Sequence, residues 1–107
     1  MKIAVIGATG KAGSLIAAEA KKKDYEVTAV VRPPSVAKLN GAYPVIAKEI
    51  ADLLPSDLAG FDAVVSAYGP SQGSPDPAGD YITAMGSLIS VMEQLPEVRF
   101  LVVGGAS

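Results

Sequence analysis

The stretch KIAVIGATGKAG, from Lys2 to Gly13, decides the fold of this chain. An apolar segment leads directly into three glycines, Gly7, Gly10 and Gly13, and a segment with helical periodicity follows. A phosphate-binding turn requires this order. The first glycine lets the chain turn sharply off a strand, the second lets backbone approach a pyrophosphate, and the third lets the helix pack close to the strand. A tight turn without a ligand is the alternative, but the strand–glycines–helix context favours the phosphate site.

The composition is that of one small folded domain. Half of the 107 residues are hydrophobic and 19% are charged, so the chain can build a core. It contains neither cysteine nor histidine, which excludes disulfides, thiol chemistry and the usual zinc ligand sets, and we expect no metal site.

The charge pattern argues against nucleic acid as a partner, and the short apolar runs argue against a membrane. The formal net charge is −2, and the basic tract Lys21–Lys23 falls at the end of a predicted helix, where cations complement the helix dipole. The N-terminal segment is a strand and not a signal peptide, and apolar runs are too short for a membrane span. We therefore expect a cytoplasmic protein.

Apolar segments typical of strands alternate with segments of helical periodicity. The predicted strands are Lys2–Ile6, Glu26–Val31, Pro44–Ala47, Ala63–Ala67 and Val98–Val103. The predicted helices are Ala12–Lys22, Val36–Leu39, Leu53–Ala59 and Tyr81–Leu95. Ser35 is the expected N-cap of the second helix, and Asp80 of the fourth.

The spacing of apolar residues predicts which faces of two helices are buried. The inward residues of the first helix would be Ala12, Leu15, Ile16 and Ala20. Those of the last helix would be Ile82, Met85, Leu88, Ile89 and Met92. Gly86, inside the last helix, predicts a close approach to a neighbouring element.

Strands that alternate with helices form parallel sheets with right-handed crossovers. We therefore predict an α/β fold of Rossmann type over residues 1–107, with helices on both faces of the sheet and strand order 3-2-1-4-5. Ligands of such sheets lie across the carboxyl ends of the strands. The residues singled out here follow predicted strand ends: Gly7, Arg32, Glu49, Tyr68 and Ser107.

The end of the second strand bears on the choice of dinucleotide. An NAD site usually has an acidic residue near this position for the ribose hydroxyls, whereas an arginine suits a 2′-phosphate. Arg32 occupies the position, so NADP is favoured over NAD. The alternative is that Arg32 is only a solvated charge. Lys11 would either add attraction for the same phosphate or point to water.

Four segments resemble the atypical short-chain dehydrogenase/reductase group, and within it the proteins assigned as NADH-flavin reductases. This group is similar to biliverdin/flavin reductases and to NmrA-like sensors. The segments are GATGKAG at 7–13, VTAVVR at 27–32, FDAVVSA at 61–67 and FLVVGGA at 100–106. The resemblance covers essentially the whole chain and implies a Rossmann fold that binds NAD(P).

The resemblance also implies coenzyme contacts. Those from the turn would come from Gly7, Thr9, Gly10, Lys11, Ala12 and Gly13. Arg32 would meet the adenosine phosphate, and Glu49 and Ile50 stand where the family often has an aspartate beside the adenine, followed by an apolar residue. The path toward the nicotinamide ribose would be lined by Ala67, Tyr68 and Gly69.

Two features depart from the family pattern. Asp24 replaces a glycine at the turn before the second strand, at modest cost because aspartate tolerates a left-handed backbone. Family members also run to about twice this length, the second half holding the nicotinamide end and much of the substrate pocket. We therefore expect a fragment of a longer protein. The fifth strand would leave an open sheet edge, through which two copies could pair.

The catalytic residues are not identified by the sequence. Tyr-x-x-x-Lys, the acid/base pair of many short-chain dehydrogenases, does not occur in it. Ser107 and Tyr68 are weak candidates. The alternatives are that Ser107 is a strand-end hydroxyl bonded to backbone and that Tyr68 is a half-buried aromatic ring. The segment Tyr68–Gly79 would be either a lid over the nicotinamide or a surface connection.

These observations favour an NAD(P)H-dependent oxidoreductase. Its hydride acceptor would be a small molecule, either a flavin (FMN or FAD) or a quinone-like compound. Two alternatives stay open: a non-catalytic redox sensor that binds the dinucleotide, and a fragment of a nucleotide-sugar epimerase or dehydratase.

Overall fold

The computed structural model describes residues 1–68 and 75–103. Its strands are β1 (Lys2–Ile6), β2 (Glu26–Val31), β3 (Val45–Ala47), β4 (Ala63–Ser66) and β5 (Arg99–Val102). Its α-helices are α1 (Lys11–Lys22), α2 (Pro55–Leu58) and α3 (Pro77–Glu93), and two 3₁₀ helices span Pro33–Leu39 and Ile50–Asp52. Gly69 and Ser107, two predicted site residues, lie outside the described residues, as does part of the predicted lid.

The five strands form one parallel sheet in the order β3-β2-β1-β4-β5. Val5 in the central strand pairs with Ala29 on one side and with Val65 on the other. The class and the strand order are those predicted from the alternation of elements.

The sheet is covered on both faces. Successive side chains of a strand point to opposite sides, so a single strand can contribute to a buried cluster on each face. In β1, Ala4 and Ile6 join one buried cluster, which contains the inner face of α3. Ile3 and Val5 join the other, which contains the inner face of α1. The strands consequently read as continuous apolar runs, as parallel strands do.

Helix α1 packs on the sheet through small residues. Gly13, Ala17 and Ala20 are its buried positions, at spacings of four and three. The predicted inward positions Ala12 and Leu15 are wrong: both are exposed, Leu15 by 68%. Small side chains let the helix axis approach the sheet, so this face is selected in spite of its weak hydrophobicity. Among the other predicted residues, Ile16 is partly buried against the cluster.

Helix α3 begins one turn earlier than predicted. Asp76 is its N-cap, accepting a hydrogen bond from the Gly79 N–H at 3.1 Å, and Pro77 supplies a preorganised first position. The predicted cap Asp80 therefore lies within the first turn, where its N–H donates to the Asp76 carbonyl oxygen at 3.0 Å.

The buried face of α3 also differs from the predicted one. It consists of Ala84, Met85, Leu88, Val91 and Met92. The prediction that Ile82 and Ile89 are buried is wrong. The helix is rotated so that both side chains are exposed, Ile82 by 70%. Gly86 does not mark a close approach, since a Cβ built there would meet no atom within 4 Å among the described residues.

Prolines determine where two short helical segments begin, and both starts differ from the predicted ones. The predicted helix at Val36 begins at Pro33 as a 3₁₀ helix with Arg32 at the N-cap, so Ser35 is not its cap. The predicted helix Leu53–Ala59 is replaced by the 3₁₀ turn Ile50–Asp52 and by α2, which starts at Pro55 after an extended Leu54. Among the described residues, no helix is long and apolar enough to cross a membrane.

Candidate functional site

The glycine turn between β1 and α1 is built by close backbone contacts. Gly7 has a φ of +78°, and its N–H donates to the Val30 carbonyl oxygen at 2.9 Å. A Cβ on Gly7 would lie 3.0 Å from the Ala67 carbonyl oxygen, and one on Gly13 would lie 2.7 Å from the Gly7 carbonyl carbon. The fold therefore requires glycine at both positions, for the sharp turn and for helix packing.

Gly10 is different, because the protein itself leaves room for a side chain there. Its φ is −76°, and a Cβ would lie 3.4 Å from the Gly7 carbonyl oxygen, an ordinary contact. Internal packing does not explain this glycine. The open space beside Gly10 is the clearance that the middle glycine of a phosphate turn provides.

The first backbone amides of α1 lie next to the glycine turn. Ser14 makes the first helical hydrogen bond, to the Gly10 carbonyl oxygen at 2.9 Å, and the amides of Lys11, Ala12 and Gly13 precede it. The first amides of a helix have no intrahelical acceptor, and the helix dipole makes this end positive. No residue of this turn is acidic, so its electrostatics suit an anion.

A cleft of about 150 Å³ opens beside this turn, at the carboxyl edge of the sheet. Seven of the predicted site residues line it: Gly7, Thr9, Gly10, Arg32, Ile50, Ala67 and Tyr68. The other lining residues, which the sequence reasoning did not assign to the site, are Ile6, Val30, Val31, Ser35 and Lys48. Lys11, Ala12 and Gly13 do not line the cleft, although their amides lie at the helix end beside it.

A second cleft of about 310 Å³ adjoins the first. Arg32, Ile50 and Tyr68 line both clefts, and the predicted residue Glu49 lines the second, together with Thr83 and other residues of α3. The ends of four adjacent strands and the N-terminal parts of two helices, α1 and α3, thus build a single site region. Ligands bind in this region of open α/β sheets.

Arg32 and Glu49 form an ion pair across the ends of β2 and β3. The Arg32 Nε donates to both Glu49 carboxylate oxygens, at 3.0 and 3.1 Å. The two side chains are about half exposed, at 51% and 46%. An exposed pair contributes little to stability, so a phosphate could replace the carboxylate at small cost. Arg32 is thus a half-exposed, paired charge that lines both clefts.

Lys48 and Asp57 form a second ion pair at the same edge. The Lys48 Nζ donates to Asp57 Oδ2 at 2.8 Å, and the same oxygen accepts the Leu54 N–H at 2.8 Å. The hydrogen bond from the Lys48 ammonium and then that from the Leu54 amide hold the pKa of Asp57 below its usual value of 3.8. Lys48 stands one residue before Glu49, so the strand-end argument could have found it.

An aromatic pair borders the site. Tyr68, after β4, stacks on Tyr81 in α3 with ring centroids 6.0 Å apart and ring planes 20° apart. Both rings also pack against the core cluster under α3. Tyr68 lines both clefts, and its ring is held by Tyr81, which was not among the predicted site residues.

A parallel sheet in this order, with a glycine turn and a cleft at its carboxyl edge, defines a dinucleotide-binding protein of Rossmann type. The model of the NAD(P)H-binding family matches residues 7–107, and this chain belongs to that family.

Three similar proteins illustrate the relationship. The uncharacterized protein YwnB of Bacillus subtilis is 42% identical over 99% of this chain and 48% of its own length. A Streptococcus pneumoniae structure, provisionally assigned as an NADH-flavin reductase, is 40% identical with a TM-score of 0.76, over 97% of this chain and 47% of that one. A provisionally assigned epimerase of Bacteroides thetaiotaomicron is 32% identical with a TM-score of 0.75, over 96% and 46%. The chain thus spans about half the length of these proteins.

Proposed function

We propose that this chain forms the coenzyme-binding part of an NAD(P)H-dependent oxidoreductase that reduces a flavin or a quinone-like acceptor. The observation that carries the proposal is the glycine turn, which leaves backbone clearance at Gly10 and opens into the cleft lined by Arg32. Membership of the NAD(P)H-binding family supports the coenzyme. The name of the pneumococcal relative supports the class of acceptor.

The residues present fit a dinucleotide. The amides at the start of α1 would bind the pyrophosphate, with Gly7 and Gly13 holding the turn in shape. The adenosine would occupy the cleft beside Ile50, and Arg32 would bind a 2′-phosphate by exchanging the Glu49 carboxylate for it. We therefore propose NADP as the preferred coenzyme, with NAD as the alternative.

Bound reduced nicotinamide supplies the hydride, so the chain's own task is to orient the coenzyme and to keep water from it. Ala67 and Tyr68 would line the path to the nicotinamide ribose, as the family resemblance implies. Since the Tyr68 ring is stacked on Tyr81, we assign Tyr68 to contact with the coenzyme rather than to proton transfer. The acceptor site would lie toward the part of the relatives that this chain does not span.

Coenzyme choice is tested by calorimetric titration of NADP and NAD against wild type, Arg32→Ala and Arg99→Ala. Arg99 is an exposed arginine at the start of β5, at the opposite edge of the sheet, and serves as the matched control. We expect Arg32→Ala to weaken NADP binding by about tenfold or more and to affect NAD much less, because a charge-assisted bond to phosphate is lost. An unchanged NADP/NAD ratio would remove Arg32 from the site.

Activity is tested by following NADPH oxidation by the full-length protein with FMN or a quinone as acceptor. Acceptor-dependent oxidation supports the proposal. Tight NADPH binding with no turnover of either acceptor would reject it and would favour a non-catalytic redox sensor.

The 32% identity to a provisionally assigned epimerase favours one other function. An epimerase keeps its coenzyme bound through the cycle and consumes no external reductant. Interconversion of nucleotide sugars without net oxidation of NAD(P)H would therefore support this second function over the first.

A further inference from the structure

We infer that Lys48 is a second cation of the subsite for the adenosine 2′-phosphate, a phosphate monoester. The inference rests on the proposed function, because it adds a residue to the same coenzyme site. It is carried by the position of Lys48, its exposure and the charges around it.

The backbone places Lys48 beside Arg32. The last residue pair of the β2–β3 ladder is Val31 with Ala47, and the ladder continues by one hydrogen bond, from the Lys48 N–H to the Val31 carbonyl oxygen at 3.0 Å. Neighbouring strands lie about 4.8 Å apart, and both side chains line the same 150 Å³ cleft.

Two cations in one small cleft repel each other unless anions balance them. Each has a carboxylate partner, Glu49 for Arg32 and Asp57 for Lys48. The two partners are held differently: Glu49 is about half exposed, whereas Asp57 is 19% exposed and is also fixed by the Leu54 amide. An incoming phosphate can therefore displace Glu49 while the Lys48–Asp57 pair stays formed.

Lys48 can serve the phosphate without leaving Asp57. An ammonium has three N–H donors, and among the described residues Asp57 accepts from it. The Lys48 side chain is 36% exposed, so its remaining donors are within reach of the cleft. A phosphate monoester carries close to two negative charges at pH 7, so a second N–H donor beside Arg32 strengthens its binding, although Asp57 offsets part of the Lys48 charge.

The test compares 2′,5′-ADP with 5′-AMP, two probes that differ only in the 2′-phosphate. Both are titrated calorimetrically against wild type, Lys48→Gln and Lys48→Arg, with Lys22→Gln as control because Lys22 is an exposed lysine at the far end of α1. We expect Lys48→Gln to weaken 2′,5′-ADP binding by about tenfold, with 5′-AMP nearly unchanged and Lys48→Arg close to wild type.

Lys48→Gln leaves the Asp57 carboxylate without its ammonium, which threatens the fold. The double variant Lys48→Gln/Asp57→Asn removes both charges and is measured beside it, with circular dichroism as the check on folding. The same loss of preference for 2′,5′-ADP in the double variant supports the inference, whether or not the single variant folds.

The outcomes separate the inference from the proposal beneath it. If wild type prefers 2′,5′-ADP and both Lys48→Gln and Lys48→Gln/Asp57→Asn keep that preference, Lys48 is not in the subsite and Arg32 acts without it. If wild type binds the two probes equally, there is no 2′-phosphate subsite, although an NAD-dependent oxidoreductase stands. If wild type binds neither probe nor NAD(P)H, the proposed function fails and the inference fails with it.

Discussion

At the scale of single residues, Gly7 and Gly13 interlock. A side chain on Gly13 would enter the Gly7 carbonyl group, and a side chain on Gly7 would press on the backbone of Ala67. The contact between Gly7 and Gly13 therefore fixes the distance between α1 and β1. This contact lies in the turn that is predicted to bind the pyrophosphate. Gly10 does not take part in this packing. The space left by its missing side chain is therefore open to a ligand.

We predict that Gly13→Ala lowers the free energy of unfolding by about 1–3 kcal/mol, because the new methyl group forces the helix off the turn. Gly86→Ala is the matched control, since it also changes a helical glycine but has open space around it. It should raise the free energy of unfolding by about 0.5–1 kcal/mol. Urea unfolding of both variants measures the difference, and equal effects would contradict the packing argument.

Asp24 has the left-handed backbone that the sequence reasoning attributed to it, with a φ of +65° after the end of α1. Replacing it by glycine should raise the free energy of unfolding by about 0.5 kcal/mol, because the backbone strain is relieved. Asp24→Ala should lower it by about 1 kcal/mol, since alanine tolerates this conformation less well than aspartate does. The urea midpoints of the two variants should therefore lie on opposite sides of wild type. Midpoints on the same side would contradict this account.

At the scale of elements, α1 shows where periodicity misleads. The sequence places Leu15 inward because it is large and apolar, whereas the fold buries Gly13, Ala17 and Ala20. A stripe of small residues has a weak hydrophobic signal, and its advantage is seen only against the sheet that it contacts. The start of α3 was missed for a local reason, because Asp76 and Pro77 lie in a segment that reads as a loop.

Helix α2 should make stability depend on pH through Asp57. Its pKa is lowered in the folded state, so folding favours the carboxylate. The resulting stabilisation is present above the unfolded pKa and is lost as the pH falls through the folded one, below about pH 4. We predict a steeper loss of stability between pH 5 and pH 3 for wild type than for Asp57→Asn. The urea midpoint measured at each pH tests this prediction.

Glu97→Gln is the control for the acid transition, because Glu97 precedes β5 at the other edge of the sheet. Its pH profile should follow wild type. A profile for Asp57→Asn that also follows wild type would show that ionisation of Asp57 does not contribute to the pH dependence of stability.

At the scale of the whole molecule, the sheet was predictable and the charge pairs were not. Alternating segments and the glycine turn predict the five parallel strands and the sheet edge at which the clefts lie. The pairing of Arg32 with Glu49 and of Lys48 with Asp57 depends on which strand ends become neighbours and on how α2 is set by Pro55. Side-chain geometry of this kind has no signature in spacing along the chain.

Coenzyme binding should stabilise the whole domain, because a ligand that binds only the folded state adds free energy by mass action. At a hundred times its dissociation constant the gain is about 2.7 kcal/mol, so the preferred dinucleotide should raise the melting temperature by at least about 5 °C. Differential scanning fluorimetry measures the shift. Gly86→Ala should keep the shift and Gly13→Ala should lose it. If Gly13→Ala keeps the rise in melting temperature, the glycine turn does not take part in coenzyme binding.

The stacked rings of Tyr68 and Tyr81 have a practical consequence. The chain has no tryptophan, four tyrosines and two phenylalanines, so tyrosine dominates its ultraviolet emission. One of the four, Tyr68, lines both clefts at the end of β4, and its ring stacks on that of Tyr81 in α3. A ligand in either cleft would change the surroundings of Tyr68 directly and those of Tyr81 through the stacked pair, so the unlabelled molecule contains its own optical reporter.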